Sequence, residues 1–290
     1  MGLSSSGATR LALALAVMLT TSGAPAVPAA ADPAARPAAP GFRAPPAGFL
    51  GGDPDVSAFH EFRFTRAAYT DFRPLRSRFL GDGGPAWSTD FPRGDRQFMT
   101  VARRLSVLDA SEEEHFLSLA DPQIRRYPFL YAVEVGWMTL IEAEVKGLRD
   151  YLAVGGFLVI DDFWGTAEWA QFQRQIARVL PGKPVVEIPK DHLLYRIFYD
   201  IQGDIVQVPN VGNAEEVARG YPGAHTWERD GYEPHLRGIF DDDGRLLVVI
   251  NWNTDLGDAW EHADHPFYPL GFSTFACELG LNMIVYGMTQ

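Results

Sequence analysis

The amino-acid sequence predicts an α/β protein: a mostly parallel, doubly wound sheet between helices, a three-layer α/β/α sandwich with a carboxyl-terminal hairpin. Three observations predict it. Phe157-Leu158-Val159-Ile160 is an apolar run without alternation, the pattern of a strand covered on both faces. From 128 to 188, apolar runs and helical patterns follow one another as strand, helix, strand, helix, strand, which right-handed crossovers wind into a parallel sheet. Residues 236–240 and 246–250 flank Asp241-Asp242-Asp243-Gly244, and an Asp-Gly pair favours the primed turns that match strand twist.

Taken in order, a first strand is expected at 62–64, where Phe62 and Phe64 alternate with Arg63. A Gly/Pro-rich loop runs on through Trp87-Ser88-Thr89-Asp90-Phe91-Pro92. Residues 95–105 read as a helix with Phe98, Val101, Ala102 and Leu105 inward. A short strand or loop covers 106–127, and its Glu112-Glu113-Glu114 reads as a solvated face. Residues 128–135 form a strand. Thr139 and Glu142 make a capping box for a helix with Ile141, Val145, Leu148 and Leu152 on one face. Gly155-Gly156 then lets the chain turn into the 157–160 strand. The next helix, about 166–179, buries Trp169, Phe172, Ile176 and Val179 and stops at Pro181-Gly182; 184–188 is another short parallel strand. Residues 191–200 are aromatic and amphipathic, 202–235 loop-like, 251–269 polar and aromatic, and 272–286 a last helix.

Composition bounds the function. A chain of 290 residues with 47% hydrophobic content can bury a sizeable core. A formal net charge of -12 argues against nucleic acid and anionic membrane surfaces as partners. Arg10, the apolar stretch 11–19 and the small residues Ala24-Pro25-Ala26 and Ala29-Ala30-Ala31 read as an export signal. The apolar stretch is too short for a permanent span. The expected organisation is a signal peptide over 1–31, an Ala/Pro-rich linker over 32–57 and one α/β domain over 58–290, delivered to the periplasm or the exterior. An uncleaved amino-terminal anchor is the alternative. Cys277 is the single cysteine, so no intrachain disulfide forms.

Three constellations carry candidate chemistry. Asp161 and Asp162, followed by Trp164, stand at the carboxyl end of the 157–160 strand, the edge where open α/β sheets bind ligands. The pleat sends the two carboxylates to opposite sides: one to the crevice, the other to cap a helix or bond a loop. In the second, Asn251, Asn253 and Asp255 have the spacing of a calcium loop, but Gly257 takes the seventh position and His262 the twelfth. Asp258, Glu261, His262, Asp264 and His265 offer a divalent transition-metal site instead, and Trp260 adds aromatic surface. If this segment returns to the sheet's carboxyl edge, Asp255, Asp258 and Glu261 join Asp161 or Asp162 around one pocket. The third is Arg66, Tyr69, Trp87 and Asp90, where the aromatics offer stacking platforms and Arg66 a fork for carboxylate. The same residues would equally serve to pin a loop on the rim. His192, His225 and His235 stand alone and read as structural.

Five phrases together resemble a bacterial family, domain of unknown function 4159, over roughly 60–289. They are Phe62-Arg63-Phe64-Thr65-Arg66-Ala67-Ala68-Tyr69, Trp87-Ser88-Thr89-Asp90-Phe91-Pro92, Pro128-Phe129-Leu130-Tyr131, the run from Gly155 to Phe163, and Asp255-Leu256-Gly257-Asp258-Ala259-Trp260-Glu261. The resemblance implies a flavodoxin-like sandwich of the class I glutamine amidotransferase-like superfamily. Glutaminases of that superfamily carry a Cys on a strained strand-to-helix turn, partnered by His and a carboxylate. Here Ile160-Asp161-Asp162-Phe163-Trp164-Gly165 has neither Cys nor Ser, and Cys277 sits among Phe275, Ala276 and Leu279 as a small buried residue. The expected function is therefore an exported, non-catalytic module that binds a small molecule or an envelope protein. The alternatives are a hydrolase using carboxylates and His, with a divalent metal, and a cell-envelope assembly component. Relatives resembling this chain tend to be encoded beside chaperone-like ATPases and von Willebrand-type adhesion domains.

Overall fold

The computed structural model describes residues 60–73 and 84–289; the expected signal peptide and linker lie outside them. Seven strands form one mostly parallel sheet in the order β2-β1-β3-β4-β7-β6-β5. They are β1 (Thr65–Ala68), β2 (His115–Ser118), β3 (Phe129–Val133), β4 (Phe157–Asp161), β5 (Val185–Glu187), β6 (His235–Phe240) and β7 (Leu246–Trp252). The described residues also contain six α-helices: α1 (Arg93–Leu105), α2 (Glu142–Ala153), α3 (Gly165–Val179), α4 (Val211–Arg219), α5 (Leu256–Glu261) and α6 (Leu270–Met288). Pairing is parallel from β2 through to β7, and β6 runs antiparallel to both of its neighbours. No helix among the described residues is long and apolar enough to cross a membrane.

β4 takes the middle of the sheet because nothing along its apolar run needs water. It is buried throughout and pairs with β3 from Phe129–Phe157 to Val133–Asp161, and with β7 from Leu158–Val248 to Ile160–Ile250. Side chains alternate across the pleat. Phe157 and Val159 join Phe129, Tyr131 and Val133 against α1, α5 and α6. Leu158 and Ile160 join Leu130, Ala132, Val248 and Ile250 against α2 and α3. Cover on both faces is what allows parallel strands to be apolar without alternation. The first face closes tightly: Phe98 stacks on Trp260 with centroids 4.1 Å apart. Gly280 of α6 lies so close that a Cβ there would sit 2.7 Å from Phe98 and 2.8 Å from Trp260.

β1 breaks the apolar rule. Arg66 is fully buried, tolerable only because its donors are engaged. Nε and Nη2 fork onto Asp95 of α1 at 3.0 and 2.7 Å, and Nη1 donates to the carbonyls of Trp87 and Thr89 at 3.2 and 2.7 Å. The guanidinium also lies 5.0 Å from the centre of the Tyr131 ring. Burial alone would lower the Arg66 pKa, but the adjoining Asp95 outweighs it and keeps the group charged. One ion pair thereby ties β1, the turn at 86–89 and α1.

Several expectations shift. The first strand starts at Thr65, where His115 of β2 lies alongside; Phe62 makes only an isolated bridge with Ala110. Phe62 and Phe64 do share one buried face. The strand expected at 184–188 is an edge strand paired antiparallel with β6, because the β6–β7 hairpin inserts between it and β4. The capping carboxylate of α2 is Glu144 rather than Glu142: it accepts from Ile141 N–H at 3.0 Å and Thr70 N–H at 2.9 Å. Ile141 and Leu105 are exposed, since each stands at an end of its helix. Trp169 is only half-buried, and packs at a tilt against Trp252 with centroids 4.5 Å apart. The stretch 202–235 contains α4, capped where Asn210 Oδ1 accepts from Asn213 N–H at 2.9 Å.

Breaking the buried pair leaves a charge without its partner. Asp95→Asn is expected to lower the unfolding free energy by about 3–5 kcal/mol in urea denaturation. Arg66→Met combined with Asp95→Leu should lose less than the sum of the two single losses.

Candidate functional site

β1, β3, β4 and β7 run the same way, so the chain leaves all four at one edge of the sheet. There the connections enclose a cavity of about 210 Å³. The loop after β1 contributes Thr89 and Asp90, β3 is followed by Glu134, β4 by Asp162 and Trp164, and β7 by Asp255 and Asp258. Asn210, Glu228 and Arg229, from the connection between β5 and β6, complete the wall.

The backbone is unusual at this edge. Five non-glycine residues among those described have positive φ: Asp90 (61°), Glu134 (54°), Asp162 (47°), Arg229 (52°) and Asn253 (62°). The first four line the cavity. Asn253 anchors the wall, accepting from Gly165 N–H at 2.9 Å and donating to the Glu233 carbonyl at 2.7 Å. Each such conformation costs on the order of 1–3 kcal/mol and persists only where surrounding contacts over-determine it.

The adjacent aspartates divide their roles. Asp161 Oδ2 accepts from Tyr131 Oη at 2.5 Å and from the Leu256 and Gly257 N–H groups at 2.9 and 3.1 Å, at the start of α5. Burial pushes Asp161 up to about 7 despite those bonds. Asp162 lines the cavity, its Oδ1 held by Trp164 Nε1 at 3.1 Å. Asp255 caps α5, accepting from Asp258 N–H at 2.7 Å, and Asp258 in turn accepts from Val211 N–H at 2.6 Å where α4 begins. Asp90 Oδ2 is buried with no hydrogen-bond partner among the described residues. It lies against Gly257, where any Cβ would overlap it.

Asp90, Asp162 and Asp255 each offer an oxygen within 4.8 Å of the other two. None of the three forms a salt bridge among the described residues; Arg73 is engaged by Glu134 at 3.1 Å and Arg229 by Glu168 at 2.5 Å. Desolvation first, then neighbouring carboxylates, pushes all three well above the usual aspartate range. A second group adjoins: Asp258, Glu261 and His262, with His262 Nε2 3.4 Å from Glu261 and 3.5 Å from Asp258. The hydrogen bond that His262 donates to Glu261, with the Asp258 charge, raises the His262 pKa.

Of the residues singled out in the sequence, Asp90, Asp162, Trp164, Asp255 and Asp258 meet at the cavity, and Glu261 and His262 adjoin it through Asp258. The others have different partners. Arg66 is bound to Asp95, Tyr69 Oη donates to the Val133 carbonyl at 2.5 Å, and Trp87 packs on Phe116 at 4.9 Å. Trp260 is a core residue, and Asp161 holds α5. Asp264 pairs with Arg93 at 3.1 Å on the surface, and His265 accepts from Phe267 N–H. The calcium-loop spacing does not close around one point: Asn251 donates to the Ile160 carbonyl at 3.0 Å and Asn253 bonds backbone. Cys277 is buried in α6 outside the cavity, its thiol pushed up to about 11 by burial. Sequence reasoning missed Glu134, Asn210, Glu228 and Arg229. Glu134 follows an apolar strand just as Asp162 does, a usable signal; Glu228 and Arg229 sit in a loop with no pattern to mark them.

These carboxyls make stability depend on pH. Asp161 and Glu134 rise from 3.8 and 4.5 to about 7, burial being the main cause in both. Above pH 4 the folded chain therefore keeps protons that the unfolded chain has released, and that stabilisation is lost as pH rises through 7. His115, buried and lowered to about 4, acts in the opposite sense only below its ordinary 6.5. Urea unfolding in EDTA should accordingly give a falling free energy from pH 6.5 to 8, with a shallower fall in Glu134→Gln.

No curated protein matches the chain. Among protein families, one described as Domain of unknown function (DUF4159) matches residues 74–288, from before α1 to the end of α6. The match takes in every strand but β1 and every acid of the cavity, and the chain belongs to the DUF4159 family.

Proposed function

We propose that the protein is an exported, non-catalytic binding module whose ligand is positively charged and sits in the cavity at the carboxyl edge of the sheet. One observation carries this reading: Asp90, Asp162 and Asp255 are buried together and none of them forms a salt bridge among the described residues, Arg66 acting on Asp90 only through space while it is bound to Asp95. Uncompensated carboxylates in a low-dielectric site repel one another, and a cation relieves that repulsion. The absence of Cys and Ser from the strand-to-helix turn argues against glutaminase chemistry. The order β2-β1-β3-β4-β7 supports a flavodoxin-like, amidotransferase-like ancestry, since doubly wound sheets of that kind bind ligands at the β1/β3 reversal. Export rests on Arg10, the apolar stretch after it and the small residues that follow.

A hydrolase using carboxylates and His is the second reading, favoured by His262 between Asp258 and Glu261. Thermal unfolding against a panel of inorganic and organic cations separates the two. A ligand at 100 times its Kd stabilises by about 2.7 kcal/mol, an effect expected to vanish in Asp162→Asn. If no cation raises the melting temperature, the binding reading fails. Turnover of an ester or amide substrate that His262→Ala abolishes would put the hydrolase in its place.

A further inference from the structure

We propose that Asp90, Asp162 and Asp255 hold a hard divalent cation, of the calcium, magnesium or manganese class, through one carboxylate oxygen each. The inference rests on the reading of the cavity as a cation site and names the cation.

The spacing fits a single ion. Oxygens on opposite sides of a calcium ion bound at about 2.3–2.6 Å lie about 5 Å apart, and the three oxygens here lie within 4.8 Å of one another. Charge selects a divalent cation over a monovalent one. Three ionised carboxylates carry three negative charges; a monovalent amine leaves two of them, a divalent ion one. Asp90 supplies a second, independent observation. It is only 6% exposed, lines the cavity, and its Oδ2 has no donor among the described residues. A buried acceptor without a donor costs about 1–3 kcal/mol, more when charged. It also stands in a left-handed conformation against a glycine that leaves room for nothing larger.

The other two ligands are already oriented. Trp164 Nε1 holds one oxygen of Asp162 and the Asp258 N–H holds one oxygen of Asp255, so each keeps its second oxygen for an ion. Outer bonds of this kind fix the rotamers of coordinating side chains. With neither nitrogen nor sulfur among the three, the set suits oxygen-seeking ions rather than zinc or copper. Three carboxylates leave several coordination positions, and about 210 Å³ accommodates several waters at about 30 Å³ each.

Isothermal titration of the EDTA-stripped mature chain with CaCl2, MgCl2, MnCl2 and, separately, putrescine tests this. The expected result is one ion per chain for at least one of the metals, with Kd at or below about 1 mM. Binding should weaken at least tenfold in Asp90→Asn, Asp162→Asn and Asp255→Asn. Loss of mutual repulsion should leave each ion-free variant as resistant to urea as the parent or more so, which separates lost binding from lost folding. Metal binding unchanged in an Asp90→Asn/Asp162→Asn double variant overturns the assignment. So does binding lost in His262→Ala but kept in Asp162→Asn, which moves the ion to the neighbouring group. Putrescine binding that needs Asp162, with no metal binding, overturns the metal and leaves the cation reading standing. If neither metal nor amine binds, both fall.

Discussion

Asp161 takes hydrogen bonds from three directions: the hydroxyl of Tyr131 on β3 and the first two N–H groups of α5. Its own position is set by β4, paired residue for residue with β3 up to Val133. This junction decides where α5 starts. The start of α5 decides where Asp255 caps, where Gly257 makes space for Asp90, and where Asp258 reaches the first turn of α4. A carboxylate at a helix amino terminus is favourable because the unpaired N–H groups and the aligned peptide dipoles both attract it. The acid on the central strand is thus a scaffold for the acids around it.

Division of labour recurs within single side chains. Asp162, Asp255 and Asp258 each hold a backbone or indole N–H with one oxygen while bordering the cavity. Folding requires these bonds, because buried N–H groups without partners are costly. The consequence is a set of carboxylates whose rotamers are fixed before any ligand arrives. Arg66 shows the contrasting arrangement: its donors face Asp95 and two carbonyls, so its charge serves cohesion between β1 and α1.

What the sequence reveals follows from the range of the interactions involved. β4, α2, α3, α6 and the β6–β7 hairpin were legible because their patterns are local: unbroken apolar runs, spacings of three and four, an Asp-Gly turn. The place of β7 beside β4 was not, since a hairpin's sequence says which strands pair with each other but not which one docks on the sheet. α4 escaped notice because it is only nine residues long and lies within a stretch rich in Gly, Pro and Asn, whose turn residues outweigh one short amphipathic run. Among candidate site residues, those just past strand ends, Asp162 and Asp255, did reach the cavity. Trp260 and Arg66 did not, because the face a short helix or strand presents to its neighbour depends on partners distant in the chain, here Phe98 and Asp95.

The left-handed residues have a bearing on how this fold could be stabilised. Glycine or asparagine tolerates positive φ better than aspartate, glutamate or arginine does, so a sequence selected for thermal endurance alone would favour such replacements at 90, 134, 162 and 229. Those positions are the walls of the cavity. If the cavity binds a cation as proposed, heat resistance and recognition compete for the same four residues, and directed evolution toward either property should drift away from the other.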